Sequence, residues 1–264
     1  MDKKIVFFDI DGTLVDEKTH DIPESTRKAI KTLRANGHLA FINTGRPLSE
    51  ISDLHKSIEF DGFILGCGTH IDYNGEALLY KSLGKKLTKQ ITDDIVLHKI
   101  DGVLEGRYGV YFDKLENIKS KEVHYAIKVH KHEGIYKGFT WYEDDIDADK
   151  LVIFINKESD FTGFHNKYKD TFEFIHRSDN FYELVPLGYS KASGIEFIIN
   201  YLGIPFENTY AIGDSTNDLS MLKYVKHSIA MGNSTPALFD LVEYITTDID
   251  KDGIFNALKH YKLI

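Results

Sequence analysis

Covalent cross-linking plays no part in holding this chain together. Cys67 is its only cysteine, so no intrachain disulfide can form, and a reducing compartment suits it. Positive charge is also scarce: 32 lysines and arginines face 41 acids, a formal net charge of −9. That balance excludes a protein that grips the phosphate backbone of nucleic acid over a broad face, although a local pocket for a small anion remains compatible with it. Long apolar runs are missing as well. No stretch approaches the roughly 20 apolar residues of a membrane span, and the four between Lys4 and Asp9 are too few for the apolar part of a secretion signal. The expectation is a cytoplasmic protein with neither membrane nor nucleic-acid partners. With 42% hydrophobic and 28% charged residues in 264, the chain can bury one large core or two modest ones. Repeats and low-complexity linkers are absent too.

The order of elements is more informative. Ile5 to Phe8 are β-branched or aromatic without interruption, as in a strand buried on both faces of a parallel sheet. Pro23 to Ala35 reads as a helix stopped by Asn36-Gly37, with proline at its first position. A strand follows at Leu39–Ile42, then a short helix near Ser49–Lys56 and a strand at Phe63–Leu65. This alternation predicts an α/β fold built on a parallel, Rossmann-like sheet. Asn74-Gly75 between apolar runs signals a hairpin, and there the pattern changes. Residues 83–186 predict an inserted α+β domain with helices near Thr88–Lys99 and Glu158–Tyr168. Its expected strands are Gly109–Phe112, Ala126–Val129, Leu151–Ile155 and Tyr182–Val185. The α/β rhythm resumes with a helix ending at Gly203, a strand at Tyr210–Ile212 and two further strand–helix pairs, Ser228–Met231 with Pro236–Val242 and Tyr244–Thr246 with Ile254–Tyr261. The core is therefore expected to be discontinuous, 1–82 and 187–264.

Polar clusters fall at the ends of the expected core strands, where open α/β sheets bind ligands. They are Asp9-Ile-Asp11 after the first, Thr44-Gly-Arg46 after the second, and Asp214 to Asp218 after a later one, with Ser190-Lys191 opening the helix that follows the insert. Asp9 and Asp11 repel each other at that spacing, and neither leaves water without compensation. A hard divalent cation prefers a few carboxylates plus phosphate and water oxygens. Lys191, Thr44 and backbone N–H groups suit a phosphate. Cation-binding and anion-binding groups in one crevice describe a phosphoryl site.

In motifs, order and spacing the chain resembles phosphatases of the haloacid dehalogenase (HAD) superfamily, of the Cof-type branch (class IIB). These carry a large α/β cap between their second and third motifs. The motifs stand as Asp9-Ile-Asp-Gly-Thr13, Thr44-Gly-Arg-Pro47, Lys191 and Gly213-Asp-Ser-Thr-Asn-Asp218. The resemblance implies that Asp9 attacks phosphorus and becomes an aspartyl-phosphate, and that Asp11 acts as general acid and then base. It implies Mg²⁺ held by the Asp9 carboxylate, the Asp11 backbone carbonyl and Asp214, with Asp218 orienting that shell from behind. Ile10, Thr44, Gly45, Lys191 and Asn217 would cradle the phosphoryl group, and Arg46 and Cys67 would lie toward the leaving group. The implied activity is hydrolysis of small phosphorylated metabolites, sugar phosphates first, with the cap excluding water and choosing among them. A hexose phosphomutase of the same fold and a non-catalytic phosphometabolite sensor are the alternatives. Asp11 separates the chain from relatives that keep their aspartyl-phosphate, which carry Thr there. Two positions depart from the pattern: Ala192 follows the lysine in place of Gly, and Gly66-Cys-Gly-Thr69 stands where relatives read Asn-Gly-Ala.

Other features have plainer readings. Asp145-Ile-Asp-Ala-Asp149 starts like a calcium loop, but Lys150 and Asn156 occupy the positions of its required Gly and Glu, so a solvated acidic turn is expected. His124, His130 and His132 are expected to be solvated on a cap strand rather than metal ligands. Cys67 is expected to be buried beside the site, and Trp141 and Tyr142 to pack or to stack on a substrate ring.

Overall fold

A computed structural model describes residues 2–264. In chain order, β1 (Ile5–Phe8), α1 (Glu24–Ala35), β2 (Leu39–Asn43), α2 (Asp53–Lys56), β3 (Gly62–Leu65), β4 (His70–Tyr73) and β5 (Glu76–Tyr80) come first. The insert supplies α3 (Lys85–Leu97), β6 (Asp101–Glu105), β7 (Val110–Phe112), α4 (Lys121–His132), β8 (Lys150–Phe154), α5 (Phe161–Tyr168), β9 (Phe172–Ser178) and β10 (Phe181–Pro186). The chain closes with α6 (Lys191–Leu202), β11 (Thr209–Gly213), α7 (Leu219–Tyr224), β12 (His227–Ala230), β13 (Tyr244–Ile245) and α8 (Gly253–His260).

The chain separates into two compact units. One comprises the chain as far as Gly45, Asp53–Leu79 and Ser190–Ile264; the other comprises Arg46–Ser52 and Tyr80–Tyr189. The first holds an eight-stranded sheet in the order β13-β12-β11-β1-β2-β3-β4-β5. Its middle is parallel, with β1 between β11 and β2, and the β3–β4 pair is antiparallel. All four β1 residues are buried, as their unbroken apolar run requires of a strand covered on both faces. Phe7, Phe41, Ile195 and Ile198 belong to one apolar cluster under α6 and α7. The second unit holds an antiparallel five-stranded sheet, β7-β6-β8-β10-β9. Leu104, Leu151, Ile153 and Leu184 join α3 and α5 in one cluster. Val103, Val152 and Phe154, of opposite parity along the same strands, pack with α4.

Three expectations change. Ala126–Val129 is not a strand but part of α4, where Val123 and Ile127 are buried one turn apart and the Ser120 side chain caps the helix by accepting from the Val123 N–H at 3.3 Å. A four-residue segment with three apolar positions fits either period, and the cap decides. The expected helix over Ser49–Lys56 is a 3₁₀ turn, Leu48–Glu50, separated from α2 by extended backbone at Ile51. The segment expected at Pro236–Val242 winds as 3₁₀ over Pro236–Leu241. Strands β6 and β9 had no counterpart in the sequence reading. In the acidic turn Asp145 is exposed and pairs with Lys85, whereas Asp149 is wholly buried, so that turn is only partly solvated. Trp141 is buried within the apolar cluster of the second unit, while Tyr142 is exposed. His130, expected to be solvated on a strand, is instead a largely buried helix residue paired with Glu50 at 3.0 Å.

Phe7 is fully buried at the centre of the parallel sheet, its ring 5.8 Å from that of Phe41. Phe7→Ala should lower stability by about 3–5 kcal/mol through lost burial and the cavity left behind, read as a lower urea midpoint.

Candidate active site

The site lies within the first unit, at the carboxyl ends of its central strands. β1 delivers Asp9 with its N–H donating to the Ile212 carbonyl at 3.1 Å. The chain then turns so tightly that the Ile10 carbonyl accepts from the N–H groups of Thr13, Leu14 and Val15. Gly12 sits in that turn at φ +75, and a Cβ there would fall inside the Asp214 carboxylate. Only glycine allows this approach. Thr13 donates its hydroxyl to Asp214 Oδ1 at 3.4 Å, and Asn233 donates to the Gly12 carbonyl at 2.8 Å. Asn233 was not singled out from sequence. Its side chain also accepts from the Ile249 N–H, so it clasps the first motif loop to the 3₁₀ turn Ile249–Lys251 that follows the last strand.

Lys191, opening α6, is buried, and its Nζ donates to Asp9 Oδ1 at 2.7 Å and to Asp218 Oδ1 at 2.6 Å. Ser190 fixes this helix start through a reciprocal capping box with Ser193. The other Asp218 oxygen accepts from the N–H groups of Asp214 and Ser215. Both Asp218 oxygens are therefore committed to protein donors, which suits a residue that shapes the site from behind. Asn217 accepts from the Ser215 hydroxyl at 2.6 Å. From β2, the buried Asn43 donates to the Lys191 carbonyl at 3.0 Å, tying the strand end before Thr44 to the start of α6. The Thr44 carbonyl accepts from the Cys67 N–H at 3.1 Å.

Cys67 is buried, as expected, and occupies the left-handed region at φ 54 between Gly66 at φ 56 and Gly68 at φ 90. Three consecutive left-handed residues suit glycine on either side. For cysteine the conformation costs about 1–2 kcal/mol.

Charge dominates this site. Asp9, Asp214 and Asp218 each offer an oxygen, all within 4.8 Å of one another, and Asp11 adds its field. Burial pushes the Asp9 carboxyl up to about 7, Asp218 and Asp11 pushing the same way and Lys191 opposing. Burial followed by the charges of Asp218 and Asp9 pushes Asp214 up to about 8. Burial works against the Lys191 charge, but Asp218 and Asp9 outweigh it and raise its pKa. One ammonium balances one carboxylate and leaves two carboxyls that ionise only at or above neutral pH. An oxygen-rich set of this kind fits a hard divalent cation, whose charge would return Asp9 and Asp214 to their ionised forms.

A family model for haloacid dehalogenase-like hydrolases matches residues 6–258. The chain belongs to that family. It is 31% identical over 276 residues, covering all of both chains, to YkrA of Bacillus subtilis (strain 168), a protein proposed to be a phosphatase. It is 27% identical over 264 residues to 5-amino-6-(5-phospho-D-ribitylamino)uracil phosphatase YcsE of the same organism, covering 100% of this chain and 97% of YcsE. Among solved structures, the HAD subclass IIB sugar phosphatase BT4131 superposes with a TM-score of 0.81 at 27% identity, over 99% of this chain and 100% of that one. The chain is thus a phosphatase of the HAD family, and Asp9, Thr44, Lys191, Asp214 and Asp218 all lie in the unit just described. Arg46 does not: it groups with the other unit and pairs with Glu133 there at 3.2 Å.

Gly12→Ala should displace the Asp214 carboxylate. A misplacement of about 1 Å costs on the order of 10²-fold in rate, so kcat should fall by that factor while the far-ultraviolet circular dichroism stays unchanged.

Proposed function

We propose that this phosphatase hydrolyses small phosphorylated metabolites, sugar phosphates first, through an aspartyl-phosphate on Asp9 and with Mg²⁺ as its cofactor. The carrying observation is the pairing of Asp9 Oδ1 with the buried Lys191 ammonium at 2.7 Å, with a second acid, Asp11, two residues away. Lys191 orients the nucleophile and places fixed positive charge where phosphoryl oxygens gather it. An Asp9 carboxylate oxygen attacks phosphorus and the bond to the leaving oxygen breaks. Asp11 delivers its proton to that oxygen, then takes one from the water that attacks the aspartyl-phosphate, so inorganic phosphate leaves and both acids are restored. Ile10, Thr44, Gly45 and Asn217 orient the remaining phosphoryl oxygens, and Cys67 lies toward the leaving group. Mg²⁺, held by Asp9, Asp214 and the Asp11 carbonyl, would supply charge neutralisation in the transition state.

Two relatives support the choice of substrate. BT4131 is named a sugar phosphatase, and the substrate in the name of YcsE carries its phosphate on a ribityl chain; both are phosphate esters of polyhydroxylated carbon chains. The unit formed by Arg46–Ser52 and Tyr80–Tyr189 is the inserted cap that selects among them. One buried cysteine, and no helix among the described residues long and apolar enough to cross a membrane, suit action in the cytoplasm.

Asp9→Asn should abolish phosphate release from a panel of sugar phosphates and p-nitrophenyl phosphate while melting within a few degrees of wild type; retained hydrolysis would remove Asp9 as nucleophile. Asp11→Asn should slow formation and breakdown of the acyl-phosphate alike, by about 10²–10⁴-fold for loss of a general acid–base group, followed by rapid-quench mass measurement. Chelation with EDTA should stop turnover and added Mg²⁺ restore it. Conversion of a hexose phosphate without phosphate release would mark a mutase instead.

A further inference from the structure

The turn 231–234 follows β12 directly and belongs wholly to the first unit. It is closed by the Ser234 N–H, which donates to the Met231 carbonyl at 3.1 Å. Toward the fourth motif, the Met231 N–H donates to the Gly213 carbonyl at 3.0 Å and the Thr235 N–H to the Asp214 carbonyl at 3.1 Å. Toward the end of the chain, the Gly232 N–H donates to the Thr247 carbonyl at 3.1 Å. Backbone bonds therefore fix this turn against Asp214. It reaches the first motif through a side chain: Asn233 Nδ2 donates to the Gly12 carbonyl at 2.8 Å, while Asn233 Oδ1 accepts from the Ile249 N–H at 2.9 Å. With both ends of the amide engaged, its orientation is set.

That bond falls where the first motif loop has least room. A Cβ on Gly12 would lie 2.4 Å from Asp214 Oδ2, so the two loops already touch. Within the loop, the Gly12 N–H donates to the Val15 carbonyl at 3.0 Å and the Thr13 N–H to the Ile10 carbonyl at 3.2 Å. Bonds inside a loop give it shape but cannot fix its distance from a neighbour. Thr13 and Asn233 span that distance. Thr13 does so through the Asp214 carboxylate itself, at a long 3.4 Å. Asn233 uses the Gly12 carbonyl instead, and so draws the loops together without occupying a carboxylate oxygen.

We propose that Asn233 is a positioning residue for the metal site: by holding the Gly12 carbonyl to the turn bonded to Asp214, it sets the spacing between the Asp214 carboxylate and the loop carrying Asp9 and Asp11, and with it the affinity for Mg²⁺. This rests on the reading of Asp9, the Asp11 carbonyl and Asp214 as Mg²⁺ ligands. The peptide next to the one Asn233 holds bears the Asp11 carbonyl, so Asn233 acts on that oxygen at one remove. Removing partners that stand behind ligands in this way weakens metal binding by about 10- to 100-fold.

Asn233 is exposed and lies outside the left-handed region, so alanine or serine can replace it without a cavity or backbone strain. The test follows Mn²⁺ binding to the full chain, free of substrate, by electron paramagnetic resonance in wild type, Asn233→Ala, Asn233→Ser and Asp214→Asn. Asn233→Ala should raise the Mn²⁺ Kd about tenfold. The Mg²⁺ concentration giving half-maximal hydrolysis of p-nitrophenyl phosphate should rise by the same factor, and kcat at saturating Mg²⁺ should return to within about twofold of wild type. A merely structural role would lower the melting temperature and leave the Mn²⁺ Kd unmoved, and that result overturns the proposal. So does a loss of kcat that saturating Mg²⁺ does not restore. The serine hydroxyl stops short of Gly12, so Asn233→Ser should behave as alanine does, and it decides by the same criteria if Asn233→Ala does not fold. Asp214→Asn tests the premise separately. Mn²⁺ binding lost there but normal in Asn233→Ala removes the role of Asn233 alone; binding unaltered by Asp214→Asn overturns the ligand reading and this inference with it.

Discussion

An imbalance of charge organises the whole site. Asp9, Asp214 and Asp218 are drawn together at strand ends with one buried ammonium among them. Removing carboxylates from water is expensive unless each is paired, and Lys191 can satisfy only part of the demand. The unmet remainder sets the chemistry. Carboxyls whose ionisation is opposed by burial and by one another suit a divalent cation, whose charge removes that opposition.

Around that core of charge, the fold supplies stiffness through close backbone approach rather than through bulk. Gly12 lets the first motif loop press onto Asp214, and a Cβ at Gly213 would lie 2.6 Å from the Asp218 carboxyl carbon. Asn233 clasps its loop to the first motif loop, and Asn43 clasps the end of β2 to the start of α6. The left-handed run at Gly66–Gly68 brings the Cys67 N–H under the Thr44 carbonyl. Cysteine at that position therefore acts on Thr44 through its backbone, whichever side chain it carries.

Much of this was legible in the residues. The continuous apolar strand before Asp9, the proline opening α1 and the Asn74-Gly75 hairpin announce their structures by local chemistry, and the four motifs announce the family. The insert was harder. Ala126–Val129 is too short for its period to decide between strand and helix, and the decisive signal, Ser120 as cap, lies outside it. β6 hides behind a glycine and flanking acids. His130 and Glu50 are distant in sequence and carry no motif, so their pairing belongs to the tertiary structure alone. The clasp at Asn233 is invisible for the same reason: amide side chains are common in loops, and only the packed sheet shows which one ties two of them.

The discontinuous core also constrains how the molecule is made. All five strands of the smaller sheet lie between Asp101 and Pro186, so that unit can fold while the ribosome still holds the residues beyond it. β1 has no such independence. One of its neighbours, β2, is made soon after it, but the other, β11, comes about 200 residues later. Lys191 lies 182 positions beyond Asp9. For most of synthesis, then, Asp9 is an ordinary solvated aspartate. The pocket that makes it unusual assembles only when the last third of the chain arrives, so a truncated product carries the Asp9 carboxylate without the ammonium and the acids that set its charge.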